Sequence, residues 1–248
     1  MTEKLSEELC ARCRAVEQNL ADIQRRIAAA AQASGRKPED ITLLAATKTV
    51  PVEVVNHAIS LGVHTIGENR VQELEEKYDR LDKENCQVHF IGHLQTNKVK
   101  YLVGKVDMIQ SVDSVRLASE ISRLSVQRGV TSRILIEVNV GREENKSGVM
   151  AEELERLLGE IAGMKGISVC GLMAIPPICR ENEELRNYFS LMHQYFVDIK
   201  SKKSDNVAMD YLSMGMSGDF EEAILCGSNM VRVGSSLFGQ RQYATNLK

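Results

Sequence analysis

Along the chain, stretches whose apolar residues recur every three or four positions alternate with short, continuous apolar runs rich in β-branched residues. A helical stretch comes first. Residues 4–33 set Leu5, Leu9, Val16, Leu20, Ile23 and Ile27 at spacings of three, four or seven, which predicts one long amphipathic helix ending before Gly35 and Pro38. Eight apolar runs follow, at 41–48, 64–69, 88–94, 108–112, 133–140, 168–175, 210–217 and 230–239, each about 20 to 40 residues from the next, as strand–helix–strand crossovers require. Between them the helical period predicts segments from Pro51 to Leu61 and at 71–81, 96–103, 114–127, 151–162, 181–200 and 219–226, with Asp113 and Asp219 as N-caps.

Strands that are apolar throughout belong in a parallel sheet covered on both faces, and eight strand–helix units close naturally into a ring. The expected architecture is therefore α/β, a single (β/α)8 TIM barrel occupying 1–248, with residues 1–36 adding an N-terminal helix packed on the barrel. No Gly-x-Gly-x-x-Gly follows the first strand, which argues against the alternative of an open doubly wound sheet.

A length of 248 residues suits one such barrel, and 43% hydrophobic with 26% charged residues are ordinary globular values. A net charge of −3 provides no basic field, so nucleic acid and anionic membranes are not expected partners. The start, Met1-Thr2-Glu3-Lys4, has acidic residues where a signal peptide would be basic and then apolar. The longest apolar run, at 41–46, is far shorter than a bilayer span, and a cytoplasmic protein is expected. Cys10, Cys13, Cys86, Cys170, Cys179 and Cys226 are scattered, without disulfide-framework or zinc spacing, and read as free thiols.

In a barrel of this kind chemistry gathers at the C-terminal ends of the strands. There the runs end on Lys48, Asn69, His93, Ser111, Asn139, Met173, Ser213 with Ser217, and Arg232 with Gly234 and Ser235. Lys48 closes the apolar run Leu43-Leu44-Ala45-Ala46-Thr47. A partly desolvated amine is pushed toward its neutral form, which is the form that attacks an aldehyde. The segment 211–219 pairs Ser213 and Ser217 with Gly215 and Gly218 after the seventh strand, and 231–236 adds Arg232, Gly234 and Ser235 at the eighth. Loops at these two positions commonly hold phosphate in such barrels. His89 and His93 are expected to share a strand face, but no third ligand joins them at metal spacing.

Seven motifs, in order, resemble those of the pyridoxal phosphate homeostasis proteins, also called proline synthase co-transcribed homologues. They are Ala46-Thr47-Lys48-Thr49, Ile66-Gly67-Glu68-Asn69, 89–95, Asn145-Lys146-Ser147-Gly148, 171–176, 213–217 and Val231-Arg232-Val233-Gly234. The resemblance implies a barrel like the N-terminal domain of alanine racemase and pyridoxal 5′-phosphate (PLP) held as a Schiff base on Lys48. It places the phosphate near Ser213, Ser217, Arg232, Gly234 and Ser235, with Asn69, Asn139 and Met173 near the ring. Arg232 keeps a second reading, toward the pyridine nitrogen, as an arginine has in alanine racemases. Thr47 stands where many relatives carry serine, and Ser235 where many carry threonine; both keep the hydroxyl.

The implied role is intracellular PLP homeostasis without robust catalysis, in a monomer whose partners are PLP and PLP-dependent apoenzymes. The alternative is a PLP-dependent amino-acid racemase. Racemisation by two bases needs a second acid/base on the other ring face, which alanine racemases take from a separate domain, and residues 240–248 are too few to build one. A third reading, an aldolase using Lys48 on a sugar phosphate, fits the barrel but not the seven motifs.

Overall fold

In the computed structural model the described residues are 2–179, 181–202 and 204–239, with residues 2–5 described as backbone only. Residues 240–248, expected to be too few for a second acid/base domain, lie outside them.

All eight expected strands form, as β1 (Thr42–Ala46), β2 (Thr65–Glu68), β3 (Gln87–Phe90), β4 (Met108–Val112), β5 (Ser132–Asn139), β7 (Ile167–Ala174), β8 (Val207–Met216) and β9 (Met230–Val233). They pair in parallel in the order β4-β3-β2-β1-β9-β8-β7-β5, and β4 pairs with β5 to close an eight-stranded barrel. A two-residue strand not foreseen in the sequence, β6 (Val149–Met150), extends β5 by pairing with Val138 and Asn139 beyond the end of β4. The helices α2 (Val52–Ser60), α3 (Val71–Tyr78), α4 (Val115–Arg128), α5 (Leu154–Ile161), α6 (Asn182–Ser201) and α7 (Phe220–Leu225) supply crossovers, the β3–β4 crossover at Thr96–Tyr101 is 3-10 rather than α, and α8 (Ser235–Phe238) follows the last strand.

Three local expectations change. The last strand stops at Val233 instead of 239, because Gly234 starts the short helix α8. Ser114, not Asp113, caps α4, its hydroxyl accepting from the Leu117 amide at 3.4 Å. β3 ends at Phe90, so His93 lies past the strand and does not share its face with His89.

The long helix α1 (Thr2–Ala33) buries Val16, Leu20, Ile23 and Ile27, each worth roughly 1.5–3 kcal/mol when fully removed from water. It packs on α2, α7 and α8. Its polar contacts reach the same places: Asn19 Nδ2 donates to the Leu237 carbonyl at 2.9 Å, and Arg26 forms a forked pair with Glu221 at 3.0 and 2.5 Å while lying over the Phe220 ring. Thus α1 clamps the two helices that follow β8 and β9, the strands whose ends carry the expected phosphate loops.

Candidate functional site

Lys48 occupies the first turn beyond β1, half-buried, in a loop whose backbone is fixed on both sides of it. Before it, the Thr47 carbonyl accepts from Lys77 Nζ at 2.9 Å, and the buried Thr47 hydroxyl donates to Glu68 Oε1 at 2.6 Å. After it, the Thr49 amide donates to Glu73 Oε2 at 2.7 Å, and Thr49 takes a left-handed φ of 63°. Lys77 Nζ also pairs with Glu68 Oε1 at 2.7 Å, so one ammonium ties α3, β2 and the lysine loop together. A β-hydroxyl residue at positive φ costs of order 1–3 kcal/mol, and this network is what holds it there. Glu68 figures in the sequence only as part of the 66–69 motif, and Glu73 and Lys77 not at all; the signal for the latter two is their i,i+4 pairing on α3.

A small cavity beside this loop is lined by Lys48, Asn69, Gly234 and Ser235, with Arg12 reaching in from α1. Four of the expected residues, from three strand ends, are thereby brought together. Ser217 sits behind the same rim: its Oγ accepts from the backbone amides of Gly234 at 3.1 Å and Ser236 at 3.2 Å, and Ser236 Oγ donates to the Ser217 carbonyl. Two amides and three hydroxyls thus crowd one turn. Close approach here needs small residues. A Cβ on Gly234 would lie 3.3 Å from the Ala46 carbonyl oxygen, and one on Gly92 would lie 2.1 Å from the carbonyl oxygen of Asn69.

Arg232 is elsewhere. Its side chain is buried in the barrel, where it donates to Ser213 Oγ at 2.8 Å and to the Ala174 carbonyl at 2.9 Å. Burial pulls its guanidinium down to about 10, against the opposing pull of Glu137 and Asp219, so it stays a cation at neutral pH. Ser213 Oγ donates in turn to Gln110 Oε1 at 2.7 Å, and Gln110 Nε2 donates to His89 Nδ1 at 2.9 Å. His89, driven down to about 3 by burial and by Arg133, is the neutral tautomer whose Nε2 faces Gln87 Oε1 at 3.3 Å. A single-direction chain of donors therefore runs from Arg232 down the barrel interior.

Two of the expected residues take other positions. The Asn139 amide is spent on its own loop, donating to the Glu143 carbonyl at 2.8 Å and accepting from the Glu143 amide at 3.1 Å. Met173 is buried in an apolar cluster with Met108, Leu135 and Cys170. A much larger cavity, about 930 Å3, opens at the opposite end of the barrel near Thr42, Thr65 and Gln87, where strands begin, and holds none of the strand-end residues. No group of three or more His, Cys, Asp or Glu at metal-binding geometry occurs among the described residues. Nor is any described helix long and apolar enough to cross a membrane.

The residues fit a pyridoxal phosphate-type cofactor on three counts. A primary amine lies in the wall of the cavity, backbone amides and hydroxyls gather at one rim, and buried polar atoms near the strand ends, Glu137 Oε2 among them, have no hydrogen-bond partner among the described residues.

Comparison with known proteins shows the family and the fold. The family model for the alanine racemase N-terminal domain matches residues 15–242. The pyridoxal phosphate homeostasis protein of Aquifex aeolicus is 43% identical over 226 residues, 91% of this chain and 98% of its own, and that of Escherichia coli K12 is 37% identical over 92% and 98%. Among solved structures, PipY of Synechococcus elongatus with PLP bound superposes with a TM-score of 0.78 at 27% identity, covering 90% of this chain and all of that one. An alanine racemase from Corynebacterium glutamicum shares the fold, with a TM-score of 0.70 at 16% identity; this chain covers 63% of it. On the family-model match and on these relatives, the chain belongs to the pyridoxal phosphate homeostasis proteins, built on the alanine racemase N-terminal barrel.

Proposed function

We propose that this chain binds PLP through Lys48 and serves to store and hand on the cofactor rather than to turn over an amino acid. The observation that carries the reading is the meeting of Lys48, Asn69, Gly234 and Ser235 on one cavity, with the Ser217 hydroxyl at its rim. PLP supplies an aldehyde that condenses with a lysine amine, releasing water. Lys48 offers that amine from a loop whose neighbouring carbonyl and amide are fixed by Lys77 and Glu73. The Gly234 and Ser236 amides and the hydroxyls of Ser217 and Ser235 would hold the phosphate, giving up their internal bonds for charge-assisted ones. Arg232, held by Ser213 and the Ala174 carbonyl and bonded to nothing in the Gly234–Ser236 turn, would serve the cofactor ring rather than the phosphate. Asn69, in the cavity wall, would serve the cofactor ring, Met173 would back the site from its buried apolar cluster, and Asn139 would act indirectly by shaping the 139–143 turn. PLP-dependent apoenzymes are the natural recipients, and the whole chain, 1–248, acts as one barrel, a monomer in the cytoplasm.

The test is reduction with borohydride followed by peptide mapping. A yellow protein is expected, with the pyridoxyl group on Lys48 alone and no visible band in Lys48→Ala. Pyridoxyl on another lysine, or colour surviving the substitution, overturns the assignment.

A further inference from the structure

Near the strand ends the barrel interior carries one carboxylate that the reading above leaves without a role. Glu137 on β5 is buried, and its Oε2 has no hydrogen-bond partner among the described residues. It shares a strand face with Asn139, two residues on, and pairs in register with Met173 of β7. The next pair of that register is Val138 with Ala174, and the Ala174 carbonyl is the atom to which Arg232 Nη2 donates. β5, β7, β8 and β9 therefore bring Glu137, the Ala174 carbonyl, Ser213 and Arg232 to one level of the barrel.

We infer that Glu137 is a proton-responsive positioning residue for Arg232, so that losing its proton weakens the hold of the site on an anionic pyridoxal phosphate. The inference rests on the cofactor reading above. As a carboxylate, Glu137 acts on the guanidinium through its charge, with no ion pair between them, and adds negative charge to a site that must take an anionic cofactor. As the neutral acid it leaves the whole field of Arg232 to the ligand.

The surrounding charges support a titration in the neutral range. Burial foremost, then the Asp113 carboxylate beyond β4, pushes the Glu137 carboxyl up to about 7, with Arg232 from β9 opposing. Asp219, in the loop after β8, also acts on Arg232. β7 offers Met173 and Ala174, which do not titrate; His89 on β3 stays neutral, and Lys48 stands at the end of β1. An anionic ligand arriving nearby raises the Glu137 carboxyl further, so binding near neutral pH takes up a proton.

The experiment titrates wild type and Glu137→Gln with PLP from pH 6 to 8.5, following the visible band. Lys48 is present in both proteins, so the pH dependence of the ratio of their affinities reports the carboxyl at position 137. We expect equal affinities at pH 6 and an advantage for the variant growing to about tenfold at pH 8.5, the equivalent of about one pKa unit of coupling. Calorimetry at pH 7.5 in two buffers of different ionisation heat should show proton uptake in the wild type that the variant lacks. Parallel pH profiles, a constant offset at every pH, or equal proton uptake overturn the inference. Should the variant not fold, the wild-type carboxyl followed by carbon-13 NMR decides: its midpoint must rise on saturation with PLP, and an unmoved midpoint refutes the role. A wild type that develops no visible band with PLP at any pH refutes the cofactor reading itself, an outcome distinct from all of these.

Discussion

Replacing Arg232 by glutamine separates the two places where a guanidinium can meet the cofactor. In the structure Arg232 makes two charged hydrogen bonds, to Ser213 Oγ at 2.8 Å and to the Ala174 carbonyl at 2.9 Å, and none to the Gly234–Ser236 turn. Hydrogen bonds to a charged group contribute about 1.5–3 kcal/mol each, but the buried guanidinium has already lost its hydration, so the loss in fold stability is partly offset. For the ligand, losing one charged contact at the ring edge costs about 1.5–3 kcal/mol, or about 10- to 150-fold in affinity. Because that contact lies away from the phosphate turn, the loss is expected to be equal for PLP and for pyridoxal, which has no phosphate. The assay is titration of apo wild type and apo Arg232→Gln with each ligand, read at the visible band, after denaturant melts show both proteins folded. If only PLP suffers, Arg232 holds the phosphate and the geometry has been misread.

Ser217→Ala should do the opposite. Its Oγ serves the Gly234 and Ser236 amides at 3.1 and 3.2 Å, so PLP affinity should drop about tenfold while pyridoxal binding stays unchanged, and equal losses for both ligands would move the phosphate elsewhere. Incubating the holoprotein with L-alanine and other L-amino acids in deuterated water should give no useful rate of deuterium entry at Cα; rapid entry with inversion would restore the racemase reading.

The fold was legible because the barrel's outer wall follows simple rules. β-branched runs such as 133–140 and 168–175 reappear as β5 and β7 within a residue at each end, since strands covered on both faces are apolar throughout. The errors fall where local chemistry overrides pattern. The run 230–239 reads as one strand, yet Gly234 turns the chain into α8, and that turn is what aims two amides at Ser217. His89 and His93 look paired at a spacing of four, but β3 ends at Phe90, leaving His89 buried in the donor chain and His93 exposed beyond the strand.

The site divides along the same line. Lys48 could be found because a lysine closing an apolar strand breaks the hydrophobic pattern. Gln110, Glu137 and Arg232 break it too, in the middle of apolar strands, and a polar side chain there has only the barrel interior in which to find partners. What sequence could not supply is which partner each one takes, because the bonds Arg232–Ser213 and Ser213–Gln110 span 19 and 103 residues and follow from barrel closure alone. Closure is thus what turns three isolated pattern-breakers, Gln110, Glu137 and Arg232, into one electrostatic unit. It brings Arg232 to the Ala174 carbonyl, ties it through Ser213 and Gln110 to a neutral His89, and leaves Glu137 as the buried carboxylate that opposes the loss of its charge. A site arranged in this way offers the ring edge of its cofactor a cation whose field is set by a neighbour's proton, which suits a protein that must release its cofactor as well as retain it.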